Sequence, residues 1–269
     1  MLFRARLLIA SISFILALAF ARAETTPVQS EAVANAGEPG RWTLSPTLVS
    51  QYLFRGVRLA GASFQPSLEY TKGRAVLGLW TSTTLRDHQG GDSDPELDLY
   101  GAYTFSAGEN LEFVPGFYLY TYPDAQRSNG LYSATLEPSL AAIFSAWGVQ
   151  FTPKVYYDLM LKGPTAEITA AMAWPLTKLG TELDFVATVG TFRSTDLAAA
   201  TVPKVKNWGD YWLVGVSVPV QVGLHSKLIA GFTYSEGHSN YYKQGSLPRE
   251  PNGSAGRHGA VSLSYSVSF

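Results

Sequence analysis

The chain has 269 residues, of which 15% are charged and 13% are aromatic, and its formal net charge is −1. It lacks the excess of lysine and arginine that nucleic-acid binding requires, and the absence of cysteine excludes disulfide scaffolds and thiol enzymes. So few charged residues are unusual for a soluble surface and suit a surface that faces lipid.

The N-terminus has the features of a secretory signal peptide. Two arginines precede an apolar run over residues 7–20, and a small-x-small cleavage site ends at Ala23. The run is shorter than the roughly 20 apolar residues of a spanning helix, so cleavage after Ala23 is expected rather than a membrane anchor. We therefore assign residues 1–23 to the signal. Residues 24–40 are small, polar and rich in Pro and Gly, which predicts a flexible periplasmic segment.

From Trp42 onward, apolar and polar residues alternate in short segments separated by turn residues. Successive side chains of a strand point to opposite sides, so each segment has one apolar and one polar face. Charged residues inside these segments fall on the polar face, as lipid would enforce, because Arg or Lys at mid-depth costs roughly 2–4 kcal/mol. Only the third segment, residues 76–82, is ambiguous, since Leu77 and Leu79 compete with Val76 and Trp80 for the apolar face.

The connections between segments alternate between short and long, as in outer-membrane barrels with short periplasmic turns and long extracellular loops. The sequence therefore predicts an all-β fold over residues 41–269, a transmembrane antiparallel β-barrel of about 12 strands. Its N- and C-termini are expected to be periplasmic, in the outer membrane of a Gram-negative bacterium.

The last nine residues predict how this barrel closes. Serines separate five apolar residues in strict alternation, and these are Val261, Leu263, Tyr265, Val267 and Phe269. Taken alone, the segment would also suit an amphipathic strand of a soluble sandwich. At the end of a barrel, such a strand pairs with the first strand and places its terminal aromatic in the interfacial belt. We expect it to serve as the signal for the barrel-assembly machinery.

Three short motifs go beyond this general pattern. They are Ser-Gln-Tyr-Leu-Phe-Arg-Gly at residues 50–56, Glu96-x-Asp98-x-Tyr100, and Tyr-Thr-Tyr-Pro at residues 120–123. Together with Trp80 they resemble the TorF porin family of proteobacterial outer membranes, most clearly over residues 44–123. That family typically has Asp where this chain has Gln51, which removes a carboxylate near Arg55. The resemblance implies a pore or channel-like barrel without an assigned substrate.

The polar face supplies the candidate residues of the bore and its constriction. These are Arg55, Glu96, Asp98, Tyr118, Tyr120, Glu137, Lys154, Tyr156, Asp158 and Glu167. Strand order would place Lys154 between Glu137 and Glu167. An excess of carboxylates would favour cations at a constriction, as acidic rings do in channels. The alternative is an internal network of salt bridges and tyrosines that fills the bore.

We therefore predict an outer-membrane porin for passive diffusion of small polar solutes or ions, with weak cation preference and no cofactor, metal or chemical step. Its partners would be outer-membrane lipid, the assembly machinery and these solutes. The alternative is a barrel with a filled lumen that acts as a surface hydrolase or, through its loops, as an adhesive or structural protein. The histidines, His88, His225, His238 and His258, lack the spacing of a catalytic or metal site. The long loop at residues 236–257 would be exposed or folded into the bore.

Overall fold

The computed structural model describes residues 39–86, 95–125, 133–160, 162–195, 206–238 and 255–269. Among these residues, no helix is long and apolar enough to cross a membrane. The predicted signal peptide and most of the segment after it lie outside the described residues. The strands are β1 (Arg41–Ser45), β2 (Thr47–Val49), β3 (Tyr52–Phe54), β4 (Val57–Ala60), β5 (Ser63–Phe64), β6 (Ser67–Lys72), β7 (Ala75–Thr84), β8 (Glu96–Tyr103), β9 (Phe105–Ser106), β10 (Leu111–Thr121), β11 (Ala134–Ala146), β12 (Val149–Asp158), β13 (Gly163–Leu176), β14 (Thr181–Thr195), β15 (Lys206–Gly223), β16 (Ser226–Gly237) and β17 (Arg257–Ser268).

All of these strands except β3 and β4 belong to one antiparallel sheet that closes into a barrel of 12 strand positions. Three positions are built from two short strands each: β1 with β2, β5 with β6, and β8 with β9. Pro46 separates β1 from β2, and Pro66 lies between β5 and β6. Proline has no N–H to donate to a ladder, which explains why regular pairing stops at these points.

The last strand closes the barrel against the first position. β17 pairs with both β1 and β2, so it spans the break at Pro46. At the end of the seam, Trp42 N–H donates to Phe269 O and Phe269 N–H donates to Trp42 O, both at 2.9 Å. The predicted all-β barrel of about 12 antiparallel strands is therefore confirmed.

Each barrel strand has one outward apolar face and one inward face. Of the five alternating apolar residues in and just after β17, Val261, Leu263, Tyr265 and Phe269 are exposed on the outside, while Val267 is half-buried. The ambiguous third segment is now resolved: Leu77 is 50% exposed, whereas Trp80 is 7% exposed. Leu77 and Leu79 therefore face outward, and Trp80 lies in the bore.

The two ends of the barrel differ. The terminal end holds Arg41, Phe269 and short turns, for example between Ala146 and Val149. The loop end, on the opposite side, holds longer connections such as the one from β16 to β17. Between β2 and β5 the chain does not simply loop outward, because β3 and β4 pair with each other as a separate hairpin. Tyr52 and Phe54 continue the apolar side of the alternation that begins at Trp42, which predicts that they face outward. That prediction is wrong, since Tyr52 is buried and Phe54 is half-buried inside.

Deletion of Phe269 should impair folding into the barrel, because it removes the two backbone hydrogen bonds that close the seam. The measurement is the folded fraction, read from the heat-dependent shift on gel electrophoresis after refolding or after isolation of outer membranes. Phe269→Tyr keeps both bonds and the aromatic ring and serves as the matched control. If the deleted chain folds as fully as this control, the closing role of Phe269 is disproved.

Candidate functional site

The hairpin of β3 and β4 lies inside the barrel and crosses the loop half of the bore. Its first leg leaves the wall at Ser50, whose N–H donates to Val261 O at 2.9 Å. The second leg returns at Ala62, whose carbonyl accepts from Leu85 N–H at 2.7 Å. Between these anchors, Leu53 and Val57 are almost fully buried, and Leu53 packs with Ala260 of β17. We call residues 52–60 the bore hairpin.

A two-residue turn forms the tip of the bore hairpin. Arg55 and Gly56 have φ angles of +47° and +77°, and Phe54 pairs with Val57 across them. Positive φ at both central residues matches the tight turns that join antiparallel strands. A Cβ at Gly56 would lie 2.6 Å from the Cα of Gly237 and 2.8 Å from the Cβ of Tyr211. Only glycine therefore lets the tip approach the opposite wall this closely.

The tip is held by a buried ion pair. Arg55 Nη1 and Nη2 donate to Glu137 Oε1 and Oε2 at 2.9 and 2.8 Å, and Tyr120 Oη donates to Glu137 Oε2 at 3.1 Å. The guanidinium carbon also lies 5.0 Å from the centroid of the Tyr156 ring. A guanidinium keeps its proton throughout the ordinary pH range, and the paired Glu137 carboxylate stabilises the charged form. Arg55 is therefore a permanent cation in the bore.

Aromatic rings pack along the rest of the bore hairpin. Tyr52 Oη donates to Glu96 Oε2 at 2.8 Å, and its ring centroid lies 5.7 Å from that of Trp80. The Phe54 ring meets Tyr120 edge-on at 6.2 Å. These contacts, together with the Arg55 pair, tie the hairpin to β7, β8, β10 and β11. The hairpin is thus fixed on several sides rather than at its tip alone.

Tyrosines and carboxylates form a second network on the wall. Lys154 Nζ donates to Tyr118 Oη at 3.1 Å and lies 4.5 Å from the centroid of the Tyr156 ring. The hydroxyls of Tyr156 and Tyr211 each donate a hydrogen bond to one carboxylate oxygen of Glu167, both at 2.5 Å. The register partner of Lys154 on β13 is Glu167. Its register partner on β11 is Ala141 and not Glu137.

The remaining predicted residues also lie in the loop half. Thr135 Oγ1 donates to Asp158 Oδ1 at 2.7 Å. Asp98 is buried two residues from Glu96, and its Oδ1 has no hydrogen-bond partner among the described protein atoms. Within the described part of the chain, no group of His, Cys, Asp and Glu has the arrangement of a metal site. The structure thus brings all ten predicted bore residues into one region, where tyrosine hydroxyls hydrogen-bond to Glu96, Glu137, Lys154 and Glu167.

The histidines considered for a hydrolase do not form one group, because His225 and His238 lie at opposite ends of the barrel. His238 is exposed at the loop end with Nδ1 4.0 Å from Asp210 Oδ2, and His258 is half-buried on β17. His225 is exposed in the turn between β15 and β16, at the terminal end. His88 lies outside the described residues. The loop at residues 236–257 is described only at its ends, where Ala255 forms an isolated bridge with Val57 of the bore hairpin.

Four members of the network, Tyr52, Glu69, Tyr100 and Tyr211, are not among the ten predicted bore residues. Tyr100 Oη donates to Glu69 Oε2 at 2.9 Å. Alternation places Glu69, Tyr100 and Tyr211 on the inward face, as the structure does, but it places Tyr52 on the outward one. Tyr52 required recognition that Arg55-Gly56, flanked by apolar residues, is a hairpin signal.

Glu137→Gln should destabilise the barrel by about 3–5 kcal/mol, because it leaves Arg55 buried without a counter-charge. Denaturant unfolding of the refolded protein in lipid vesicles measures this. Replacing both partners, by Arg55→Met with Glu137→Leu, should recover much of the loss, since no buried charge then remains. Glu236→Gln is the control, because Glu236 pairs with Arg257 at 3.2 Å on the exposed rim and should matter little. Equal effects of Glu137→Gln and Glu236→Gln would contradict the buried pair.

No curated protein matches the chain. Among solved structures, it is similar to the NanC porin, with 9% identity, a TM-score of 0.49, and coverage of 84% of this chain and 98% of that one. LpxR from Salmonella typhimurium gives 8% identity, a TM-score of 0.46 and coverage of 84% and 99%. OprD from Pseudomonas aeruginosa is 11% identical, with a TM-score of 0.39 and coverage of 78% of this chain and 61% of that one. The model of the bacterial family of unknown function named Gcw_chp matches residues 33–240, and the chain therefore belongs to that family.

Proposed function

We propose that the chain is an outer-membrane channel for passive diffusion of small polar solutes or ions, with weak cation preference. In this proposal the terminal end faces the periplasm, the first 23 residues are a cleaved signal, and β17 is the segment that the assembly machinery reads. The observation that carries the proposal is a closed barrel with an apolar outside and an ionisable bore.

The outer surface supports a membrane location. Large apolar side chains are exposed around the strand centres, for example Leu79, Leu140, Ile168, Val214 and Leu263. A soluble protein would leave such a continuous apolar belt in contact with water, at a cost proportional to its area. A barrel is one of two structures that satisfy all backbone hydrogen bonds within lipid. The short turns at the terminal end suit a periplasmic side.

The charge of the bore supports the cation preference. Among the described residues, seven carboxylates but only two basic side chains, Arg55 and Lys154, are buried. Glu137 is neutralised by Arg55, and Glu167 lies opposite Lys154. Glu96 accepts from the Tyr52 hydroxyl, and Asp98 lies two residues further along β8 on the same inward face. A surplus of negative charge in a narrow passage attracts cations and repels anions.

The bore hairpin would set the narrowest level of the channel. It crosses the loop half and buries the inward residues around it, which would leave room only for small species. An inward-folded segment that narrows a barrel is compatible with the TorF porin resemblance of the first half of the chain. That resemblance includes the hairpin tip, Phe54-Arg55-Gly56.

The same filling favours a second function, a barrel that conducts nothing and acts through its surface as a structural, adhesive or hydrolytic protein. Small barrels are filled by their own side chains, and the bore hairpin adds to that filling here. Electrical recordings separate the two functions. A channel gives discrete conductance steps after insertion into a planar bilayer, whereas a filled barrel inserts without conducting.

In a salt gradient across such a bilayer, the reversal potential of the wild type should have the sign of a cation-preferring channel. Glu96→Gln combined with Asp98→Asn should move it toward zero, because the substitutions remove two acidic groups beside the bore hairpin.

Glu236→Gln is the matched control. Glu236 lies on the outward side of the loop-end rim, so this substitution removes a charge outside the passage. An unchanged reversal potential in the double variant would show that these two carboxylates do not line the conducting path. A wild type that inserts without conducting would overturn the channel proposal itself.

A further inference from the structure

Three neighbouring turns at the terminal end carry a large apolar residue at their tips. Trp147 lies between β11 and β12, Leu179 between β13 and β14, and Leu224 between β15 and β16, with exposures of 95%, 75% and 94%. These are consecutive hairpins, so the tips occupy one half of the rim. We call them the apolar tips. Single exposed apolar residues are ordinary, but three in adjacent turns are typical of an interaction site.

The other half of the same rim is different. The turn between β6 and β7 is Lys72-Gly73-Arg74, and the one between β9 and β10 contains Gly108, Glu109 and Asn110. These are the small, polar and charged residues that water-exposed turns favour. The apolar tips are therefore not a general property of turns in this chain.

The backbone conformation of the turn at residue 147 is also unfavourable for a tryptophan. Ala146 pairs with Val149, and the two residues between them, Trp147 and Gly148, have φ angles of +54° and +79°. Two-residue turns with positive φ at both positions favour Asn-Gly, because Asn tolerates the left-handed region and bulky residues do not. With its side chain 95% exposed, Trp147 gains no packing within the described chain that would offset this conformation. Such an outlier points to a function outside the turn itself.

The surroundings of the apolar tips suit a phospholipid interface. The tips continue the outer apolar belt, whose exposed members at this end include Trp174, Val222 and Phe269. An exposed basic side chain, Lys178, stands directly beside the tip at Leu179, whereas Arg41, Lys72 and Arg74 lie on the other half of the rim. Trp prefers the headgroup level of a bilayer, and basic side chains beside it reach the lipid phosphates.

We propose that Trp147, Leu179 and Leu224 insert into the phospholipid interface and seat this half of the barrel deeper in the membrane than the half with the polar turns. The inference rests on the membrane location proposed above. It adds a lipid-binding surface that lies beyond the strand ends and is confined to one side of the rim.

The depth of the tips can be measured directly, because the chain has no cysteine and each introduced one is unique. A nitroxide attached after Leu224→Cys is compared with the same label after Asn110→Cys, on a polar turn of the same rim. Both proteins are refolded into vesicles of phosphatidylcholine and phosphatidylglycerol. The label at 224 should collide several-fold more with dissolved oxygen, relative to a water-soluble nickel complex, than the label at 110.

Equal accessibility of both labels to the nickel complex would overturn the inference. Spin–spin broadening of the label at 224 would also overturn it, in favour of a second copy of the chain covering the tips. A third label after Leu263→Cys, at an outward strand position, tests insertion itself. If the nickel complex reaches that label as well, the barrel wall is in contact with water. The result would then contradict the proposed membrane location and not only the role of the apolar tips.

Trp147→Asn separates lipid binding from a structural role. It creates Asn-Gly, which the turn prefers, so the unfolding midpoint in uncharged detergent micelles should be unchanged or higher. In the mixed vesicles the midpoint should fall below that of the wild type, because the interfacial contact is lost. A midpoint that is unchanged or higher in both environments would show that Trp147 has no role at the interface.

Discussion

Closure of the sheet is the constraint on which the rest of this structure depends. The edge of an open sheet leaves a row of unpaired backbone groups, and pairing of β17 with β1 and β2 removes that edge. Once the ring is closed, each strand has an inside and an outside, and the period of two in the sequence decides which residues take each side. The mutual hydrogen bonds of Trp42 and Phe269 complete this ring at its terminal end.

Closure also creates a space that the chain must fill or leave open. The bore hairpin occupies the loop half of that space, and its tip brings a cation, Arg55, to a wall dominated by carboxylates. The pairing with Glu137 offsets the desolvation of both groups, which neither would tolerate alone. Tyrosine hydroxyls then bind the other carboxylates without adding charge, as with Tyr156 and Glu167. Position and charge of the passage are therefore set together by one short segment.

The outward face of this fold could be predicted from sequence because the outward positions at the strand centres are mostly apolar, as Leu140 and Leu263 illustrate. The third segment could not, since both of its faces are apolar, and only the contact of Trp80 with Tyr52 explains why Trp80 faces inward. The bore hairpin was missed for a related reason. Tyr52 and Phe54 continue the alternation of the strand before them, so periodicity alone does not reveal that the chain has left the wall. The ion pair joins residues 82 positions apart, which no local pattern encodes.

If the barrel conducts as proposed, the bore hairpin should limit which solutes pass through it. Val49 and Ser63 are register partners, so a chain in which Asn-Gly replaces residues 50–62 would close that gap with a standard two-residue turn. Liposomes that contain either protein can be compared by their swelling rates in a series of uncharged sugars of increasing size. The shortened barrel should admit sugars that the full chain excludes. Equal rates for both proteins across the series would show that the hairpin does not restrict passage.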